Sequence, residues 1–363
     1  MNEHVSNPSV HFPRDYSLTG PLNQQAVEIG LANAEWYKTE IPRARMKELM
    51  KRSDGPATRD TLLWFGLMIL TAAIGSYLWP SLWCAPFFAV YGVLYGSASD
   101  SRWHECGHGT AFKTPWKNDA VYQIACFMIA RNPVVWRWSH SRHHTDTIIV
   151  GRDPEIAAMR PPDIFRLALN LFGLIDFPVA LMAMLRYSAG LLNKDEKDYI
   201  PESEQSKVFK VARIWTVIYA FAVAACFYWG TVLPLMIIGL PRLYGAWHHI
   251  VCGVTQHVGL AEDVLDHRLN CRTVYMNPFS RFIYWNMNYH VEHHMFPMVP
   301  YHALPELHKE MLADCPKPYS SFADAYSEIL PTMIKQLRDP TYFVHRELPP
   351  TAHPFKPAPV PAH

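Results

Sequence analysis

Histidine is the residue type in this chain with the clearest chemical potential, because eight of the 19 histidines fall into three short clusters. We number them boxes 1, 2 and 3: His104-Glu-Cys-Gly-His108, His140-Ser-Arg-His143-His144 and His290-Val-Glu-His293-His294. Residues three and four apart share one face of a helix, so each box would aim two or three imidazoles at one place. Neutral imidazole is the commonest metal ligand in proteins and suits iron, copper and zinc. The boxes therefore predict a metal centre built from histidines.

The number of candidate ligands indicates the number of metal ions. A zinc ion takes about three or four protein ligands, so eight histidines are too many for one ion and suit two. A ninth candidate is His257, although an isolated histidine is more often a hydrogen-bonded structural residue. The pair His248-His249 lies in apolar sequence, where a structural role is the favoured interpretation.

The charge and the cysteine content argue against several other classes of protein. A net charge of +1 gives no electrostatic support for nucleic-acid binding. The seven cysteines are scattered and form no C-x-x-C pair, which argues against a disulfide scaffold and against a cysteine zinc site. Cys106 lies inside box 1, and we interpret it as a small spacer rather than a ligand.

The boxes lie between long apolar stretches of sequence, whose helices would position them. No Asp, Glu, Lys or Arg occurs from Thr61 to Ser99 or from Ile214 to Pro241. A membrane-spanning helix needs about 20 apolar residues, so the first run fits two spans joined at Trp79-Pro80-Ser81. The second run fits one span from about Val211 to Trp229 and the beginning of another from about Val232 to Val254. The sequence therefore predicts four spans.

The loops predict the orientation. The stretch 43–59 before the first span holds six Lys and Arg residues, whereas the hairpin tips near 79–83 and 229–233 hold none. Because Lys and Arg are enriched in the cytoplasmic loops of membrane proteins, we expect both termini and the long loops in the cytoplasm. Pro241 and Arg242 fall inside the fourth span, where a proline can kink a helix and an arginine should face protein or reach the interface. The polar N-terminus shows no cleaved signal peptide.

A further apolar segment, Leu167 to Leu185, competes as a fifth span. Counting it would place box 3 on the opposite side of the membrane from boxes 1 and 2, which a shared metal centre forbids. We therefore expect a helix in or near the interface.

The predicted fold is an all-α integral membrane protein with four transmembrane helices and a cytoplasmic helical cap that holds a di-metal centre. The predicted segments are a cytoplasmic N-terminal segment (1–60), transmembrane hairpin 1 (61–99), a cap segment with boxes 1 and 2 (100–210), transmembrane hairpin 2 (211–256), a cap segment with box 3 (257–347) and a Pro-rich tail (348–363).

In this arrangement the boxes H-x-x-x-H, H-x-x-H-H and H-x-x-H-H resemble those of the membrane fatty acid desaturase superfamily over about residues 60–310. The resemblance implies an enzyme that holds two iron ions and uses dioxygen and two electrons. His257, in Gln256-His-Val-Gly-Leu, matches the extra histidine that such enzymes place before the last box. The iron ligands that the resemblance implies in the boxes are His104, His108, His140, His143, His144, His290, His293 and His294.

A closer resemblance concerns the substrate. The stretch from Asn288 to Pro297 is similar to several branches, including sphingolipid desaturases and carotenoid ketolases. Together with His143-His-Thr-Asp-Thr and Gly259-Leu-Ala-Glu-Asp263, it looks most like bacterial oxygenases of small polar compounds, such as the rhizopine-catabolism oxygenase and the dihydrorhizobitoxine desaturase. This implies hydroxylation, oxidative demethylation or desaturation of a small or amphipathic molecule in a bacterial inner membrane. The alternative is a fatty acyl or lipid desaturase.

The electrons must come from outside the chain. The sequence has no G-x-G-x-x-G fingerprint, no cysteine set for an iron–sulfur cluster and no fused His-Pro-Gly-Gly haem motif. The resemblance therefore implies a ferredoxin- or cytochrome-type donor with its reductase. Arg137 and Arg142 are candidate contacts for an acidic donor, although a solvated surface is the commoner role. Carboxylates often orient metal-bound imidazoles, and the candidates are Asp146, Asp153, Glu262, Asp263 and Glu292, although each is more often a surface or capping residue.

Two other classes of function compete. Read alone, His104-Glu105-Cys-Gly-His108 is also H-E-x-x-H, the zinc metalloprotease signature in which Glu is the general base. A membrane protease needs only one more ligand and would leave five or more clustered histidines unused. A histidine-lined metal transporter would need its ligands within the spans, whereas the boxes lie at or beyond the span ends. A requirement for dioxygen and reductant distinguishes the oxygenase from the protease.

Overall fold

The computed structural model describes residues 14–33 and 35–355. This part of the chain is helical and contains no strand, with isolated bridges joining Thr273 to Tyr289 and Val274 to Tyr319. The helices in chain order are α1 (Asn23–Glu28), α2 (Arg43–Leu49), α3 (Asp54–Tyr77), α4 (Ala85–Val93), α5 (Ser99–Gly107), α6 (Pro115–Met128), α7 (Pro133–Thr145), α8 (Ile164–Asn170), α9 (Asp176–Ser188), α10 (Lys194–Tyr199), α11 (Glu202–Trp229), α12 (Leu233–Ile237), α13 (Pro241–Gly245), α14 (Trp247–His257), α15 (His267–Asn270), α16 (Pro278–Tyr284), α17 (His290–Met295), α18 (Leu304–Met311) and α19 (Phe322–Arg338).

Three helical stretches of the described chain are long and apolar enough to cross a membrane: Arg43–Tyr77, Leu82–Gly107 and Glu202–Trp229. They correspond to the first three predicted spans. Large apolar side chains remain exposed on their surfaces, including Leu62 at 67% and Phe227 at 84%. Such a surface is costly in water and suits a lipid environment.

The predicted fourth span is not one continuous helix. Its residues fold as α12, α13 and most of α14. Gly239 adopts a φ of +91°, which a glycine tolerates at no steric cost, and Pro241 begins α13. Because proline has no N–H to donate and clashes with the preceding turn, α12 cannot run on through this point. The predicted span from about Val232 to Val254 is therefore broken at the proline rather than one helix, and four spans are not confirmed.

The break places Arg242 inside the protein. Its side chain is 3% exposed, and Nη1 donates a hydrogen bond to the carbonyl of Gly96 at 2.6 Å. The guanidinium also lies 3.2 to 3.3 Å from the two ring nitrogens of His249. The expectation that Arg242 faces protein is confirmed.

Box 1 lies on an extension of the second spanning helix. α4 continues through a π-helical turn, Leu94–Ala98, directly into α5. The indole N–H of Trp64 on α3 donates to the carbonyl of Leu94 at 2.8 Å, and the hydroxyl of Ser97 donates to the carbonyl of Gly245 at 2.5 Å. The turn is thus held from both sides, and π-turns occur frequently at functional sites.

The segment Leu167 to Leu185 folds as two helices, α8 and α9, and neither reaches the length of about 20 residues that a span needs. α9 is amphipathic: Met184 is buried, whereas Met182 is 67% exposed. Its end joins α11 through the hydroxyls of Ser188 and Thr216, 2.7 Å apart. This geometry supports an interfacial helix rather than a fifth span.

The terminal segments close over the cap. Tyr37 and Thr39 each donate a hydroxyl hydrogen bond to the carboxylate of Asp314 at 2.6 Å. The fully buried Arg268 pairs with the same carboxylate at 2.9 Å, and the backbone N–H of His353 donates to it at 2.9 Å. Residues 348–355 of the predicted tail are non-helical and pack on the cap, whereas 1–13 and 356–363 lie outside the described residues.

Candidate metal centre

Four helices from both halves of the chain deliver the histidines. Box 1 occupies the last turn of α5, and His108 is the C-cap residue of this helix. Box 2 ends α7, whose first turn is capped by the side chain of Asn132, which accepts from the backbone N–H of Val134 at 3.1 Å. Box 3 forms nearly all of α17, and His257 ends α14.

The nine predicted ligands gather into two groups, and within each group one nitrogen per ring lies within 4.8 Å of all the others. The five-histidine group comprises His104, His108, His140, His144 and His293. The four-histidine group comprises His143, His257, His290 and His294. Box 1 contributes only to the first group, whereas boxes 2 and 3 contribute to both. The two groups therefore share α7 and α17 and lie side by side.

The separations within the groups fit metal ligation. His140 Nε2 lies 3.1 Å from His108 Nε2 and 3.2 Å from His144 Nε2. In the other group, His290 Nε2 lies 2.9 Å from His257 Nε2 and 3.0 Å from that of His294. A ligating nitrogen lies about 2.1 Å from its ion, so two ligands at right angles are about 3.0 Å apart. Facing lone pairs repel without a cation, so each group is suited to hold one.

Burial keeps most of these imidazoles neutral, which is the form that binds metals. Burial, and then the neighbouring imidazoles, lower the pKa of His144, His293 and His294 well below the ordinary value. His143 differs: burial acts to lower its pKa, but the adjacent Asp153 outweighs this effect and raises it.

Two buried carboxylates orient box 2 through the Nδ1 atoms. His143 Nδ1 donates to Asp153 Oδ2 at 2.8 Å, and His140 Nδ1 donates to Glu155 Oε2 at 2.9 Å. Glu155 also accepts the hydroxyl of Ser139 at 2.6 Å. A partner on Nδ1 fixes the tautomer and leaves Nε2 available as the ligand atom.

Neutral acceptors perform the same task for His257 and His294 of the four-histidine group. His257 Nδ1 donates to the backbone carbonyl of Asn270 at 2.8 Å. His294 Nδ1 lies 3.2 Å from the hydroxyl oxygen of Thr147, whose own proton goes to the carbonyl of His143. Both rings therefore direct Nε2 into the group.

Glu105 lies behind the rings of the five-histidine group. Its Oε1 is 3.1 Å from His104 Nδ1 and 3.6 Å from His293 Nδ1, and its side chain is almost fully buried. In a zinc metalloprotease the corresponding Glu is the general base beside the metal-bound water. A carboxylate on Nδ1 is on the far side of the ring from Nε2, so this placement disfavours the protease interpretation.

Of the five carboxylates proposed to orient the ligands, Asp153 alone contacts a box histidine within the described chain. The other four candidates are wrong because each is engaged by other partners: Asp146 by Arg142, Glu262 by Arg160 and Arg14, Asp263 by Arg14, and Glu292 by Thr273 and His308. Glu155, which sequence reasoning missed, lies two residues after Asp153.

The remaining histidine candidates have structural partners. His248 Nε2 lies 3.1 Å from the hydroxyl of Ser280, and the ring of His249 faces Arg242. Neither joins the two groups, so the structural interpretation of this pair is supported. Cys106 is 1% exposed and packs in the core, as expected of a spacer.

Comparison with known proteins agrees with this geometry. The family model described as fatty acid desaturase matches residues 77–326, a stretch that contains all three boxes and His257. The chain belongs to the fatty acid desaturase family. Membership of this family indicates an oxidoreductase.

Similar proteins of this family include plant desaturases. The omega-3 fatty acid desaturase, chloroplastic, of Sesamum indicum is 26% identical over 278 residues, which cover 70% of this chain and 60% of the relative. The temperature-sensitive sn-2 acyl-lipid omega-3 desaturase (ferredoxin), chloroplastic, of Arabidopsis thaliana is 25% identical over 273 residues, 68% of this chain and 60% of the relative. The acyl-lipid omega-3 desaturase (cytochrome b5), endoplasmic reticulum, of Arabidopsis thaliana is 24% identical over 291 residues, 74% and 72% of the two. The chain spans about 60% of the length of the first two relatives.

In this desaturase-family chain, a cavity of about 780 Å³ reaches both histidine groups. The histidines that line it are His104, His140, His143, His249, His257 and His290. A volume of this size holds a small or medium-sized organic molecule. The cavity therefore gives a substrate access to both groups.

The cavity walls are polar as well as apolar. Asp100, one turn before His104 on α5, accepts the indole N–H of Trp103 at 3.1 Å and pairs with Arg131 at 3.4 Å. The guanidinium of Arg131 lies 3.9 Å from the ring centroid of Trp136. Further out, the cavity is lined by two more ion pairs and by apolar side chains of α9: Arg166–Asp176, Arg186–Glu196, Val179, Ala183 and Met184. It is not a uniformly apolar tunnel.

Proposed function

We propose that this protein is an O2-dependent, non-haem di-iron oxidoreductase that acts on an unactivated C–H bond. The observation that carries this proposal is the pairing of a five-histidine and a four-histidine group that both line one cavity. Two iron ions held by these histidines would use dioxygen and two external electrons to supply an oxidant able to remove hydrogen from an unactivated carbon.

The residues of the chain would position the two metal ions and exclude water from the site. Burial keeps most of the nine histidines neutral, and Asp153, Glu155 and Glu105 hold the rings of His143, His140 and His104 from behind. The site is closed by the cap, in which box 3 is almost fully buried: His290 is 2% exposed and His293 is 0% exposed. A buried site of this kind protects a reactive oxidant from side reactions with water.

We propose a small or amphipathic substrate that carries at least one polar group. The support is the ion pair Asp100–Arg131, which faces the cavity one helical turn from His104. A wholly apolar chain lying against this pair would remove its contact with water and return no hydrogen bond, which is unfavourable. A polar group of the substrate would replace that water. The product would be an alcohol, a demethylated compound or an alkene, depending on how the carbon is positioned.

Acyl-lipid desaturation is the second candidate. It is supported by the names of the plant relatives, and by the apolar surface that α8 and α9 expose beside the cavity, including Phe165 at 74% and Met182 at 67%. A lipid could approach along such a surface. Both candidates share the same metal chemistry and differ in what enters the cavity.

The test is a reconstituted reaction. The iron-loaded protein in lipid nanodiscs is supplied with NAD(P)H, a reductase, a donor protein and dioxygen, and is then offered acyl lipids and small polar or amphipathic compounds separately. We expect consumption of NAD(P)H and dioxygen that depends on an amphipathic compound, with formaldehyde, an added oxygen or a loss of two hydrogens identifying the reaction. Turnover of acyl lipids alone would favour the second candidate, and peptide hydrolysis without dioxygen would refute both.

Metal content provides an independent check. The purified protein should bind about two metal ions per chain, with iron in the active form, although zinc can occupy such sites after overexpression. A single tightly bound zinc ion, with no effect of iron loading, would contradict the di-iron proposal.

We also propose that the broken segment α12–α14 completes a fourth crossing and that the cap with all three boxes is cytoplasmic, in a bacterial inner membrane. The support is the basic stretch 43–59 beside the first span and the absence of Lys and Arg from the hairpin tips. Labelling of introduced cysteines should place 110–205 and 260–355 on the same side as the N-terminus. Labelling of 190–205 from the opposite side would contradict this topology.

A further inference from the structure

An aromatic stack connects the protein surface with the four-histidine group. The rings of Trp36 and His267 are parallel, with centroids 4.1 Å apart. The ring of His267 in turn lies 5.2 Å from that of His294, a member of the group. His267 is 2% exposed, whereas Trp36 is partly exposed. The three rings therefore form a continuous path from solvent to a candidate metal ligand.

Trp36 is also tied to box 2. Its indole N–H donates a hydrogen bond to the carbonyl of Thr145 at 2.9 Å, and Thr145 follows His144 directly in the chain. This bond fixes the indole ring beside the last turn of α7. Arg142, on the same turn, is 27% exposed and pairs with Asp146. Arg137, the other predicted donor contact, pairs instead with Asp119 at 3.4 Å.

His267 has no evident need to act as a ligand. The four-histidine group is complete without it, and the close Nε2 contacts of that group involve His257, His290 and His294. His267, Cys271 and His294 form a third possible cluster. In it the thiol of Cys271 lies 3.9 Å from His267 Nδ1. This third cluster adds only His267 and one thiol to His294, which already belongs to the four-histidine group.

We propose that Trp36 and His267 form the route by which a small one-electron carrier of the ferredoxin or cytochrome class delivers electrons to the four-histidine group. The inference rests on the proposed function. Electron transfer through protein weakens steeply with the gap to be crossed, and stacked rings in contact shorten that gap. At each encounter the carrier loses one electron, and the centre behind His294 gains it. No covalent bond forms or breaks, and two encounters supply the two electrons of one turnover.

The names of the relatives supply the carriers to be used as probes, a plant-type [2Fe–2S] ferredoxin and the soluble haem domain of cytochrome b5. Each is reduced beforehand and mixed without oxygen with the iron-loaded protein in nanodiscs, and its oxidation is followed by its own absorbance. Dithionite, a small reductant that needs no docking site, is used in parallel. Metal content and carrier affinity are measured for every variant.

Two variants of Trp36 test the contributions of its aromatic ring and of its hydrogen bond separately. Trp36→Leu removes both and should slow carrier oxidation at saturating carrier by at least an order of magnitude, with reduction by dithionite and metal content unchanged. Trp36→Phe keeps a ring and loses only the bond to Thr145, so its rate should stay close to that of the wild type. Trp116→Leu, which changes a tryptophan that is 66% exposed on α6, is the matched control and should have no effect.

His267→Phe tests the inner half of the route. It retains a ring against Trp36 but removes both nitrogens, so carrier oxidation should remain near the wild-type rate and both metal ions should be retained. Loss of one ion in this variant would make His267 a ligand and overturn the route. An unchanged rate in Trp36→Leu, or a change in carrier affinity alone, would also overturn it. If the wild-type protein oxidises neither carrier and dithionite does not reduce it, the proposed function itself fails.

Discussion

Asp153 allows the organisation of the metal centre to be tested one group at a time. Its side chain is fully buried, and its two oxygens accept three hydrogen bonds of 2.8 Å, from His143 Nδ1, from the backbone N–H of Ile148 and from the backbone N–H of Glu155. Asp153→Asn preserves the shape but replaces one oxygen with an NH2 group that cannot accept. At least one of the three donors must then lose its partner.

The size of the effect of Asp153→Asn depends on which donor loses its acceptor. If the amide oxygen stays with His143 and Ile148, the NH2 group faces the N–H of Glu155, and one buried donor is left unsatisfied at a cost of about 1–3 kcal/mol. If the amide turns over, His143 loses its acceptor altogether, and in both orientations His143 loses the carboxylate charge that strengthens its hydrogen bond. Loss of such an outer partner lowers metal affinity by about 10- to 100-fold. Because His143 belongs to the four-histidine group, we expect the affinity of that group for metal to fall by this factor.

The assay is a chelator titration with metal counted per chain, and Glu155→Gln is the matched variant. Glu155 bonds His140, so its amide should weaken the five-histidine group instead. Each variant should release one ion at a chelator concentration about 10- to 100-fold below that of the wild type and the second ion at the wild-type value. An unchanged titration of Asp153→Asn, or simultaneous release of both ions in both variants, would refute independent positioning of the two groups.

Two further predictions concern folding. Glu292→Gln should lower the free energy of unfolding by about 1–3 kcal/mol, because this 1% exposed carboxylate is bonded to a threonine hydroxyl and a histidine; a thermal melt in detergent measures this, with the exposed Glu310→Gln as a control that should change little. Gly245→Ala should strongly reduce the yield of folded protein, because a Cβ there would collide with the backbone of Gly92, whereas Gly66→Ala adds a methyl group to open space and should be tolerated; fluorescence-detected size exclusion compares the two.

The convergence of the box histidines could be predicted from the sequence because their geometry is local. Residues three and four apart on a helix share a face whatever surrounds it, so the spacing within boxes 2 and 3 already implies convergence. The division into two groups was not predictable in this way. His143 and His144 are neighbours in sequence but join different groups, since successive side chains on a helix point about 100° apart and each meets a different partner helix. Which partner lies on which side is a property of the tertiary fold.

The orienting carboxylates were harder to predict for a similar reason. Asp146 lies closer in sequence to box 2 than Asp153 does, yet it turns to Arg142, while the loop from 146 to 155 folds back and brings Asp153 and Glu155 to the rings. The fold of that loop depends on contacts such as that between the backbone N–H of Ile148 and Asp153. A carboxylate near a box in sequence is therefore a weak indication of a carboxylate near the metal.

The break in the predicted fourth span has the same origin and a consequence for the site. A straight helix through Arg242 would have left a guanidinium among apolar groups, which is expensive in a membrane. The break at Gly239 and Pro241 instead turns Arg242 toward the carbonyl of Gly96, inside the π-turn that leads into box 1. The freed carbonyl of such a turn needs a donor, and the buried arginine supplies it. The broken segment thus holds the helix that carries His104 and His108, while its last helix, α14, presents His257 to the other group. Hydropathy shows only an apolar segment that contains a proline and an arginine. It cannot show that these residues are favourable there, because the carbonyl of Gly96 that accepts from Arg242 lies 146 positions earlier in the chain.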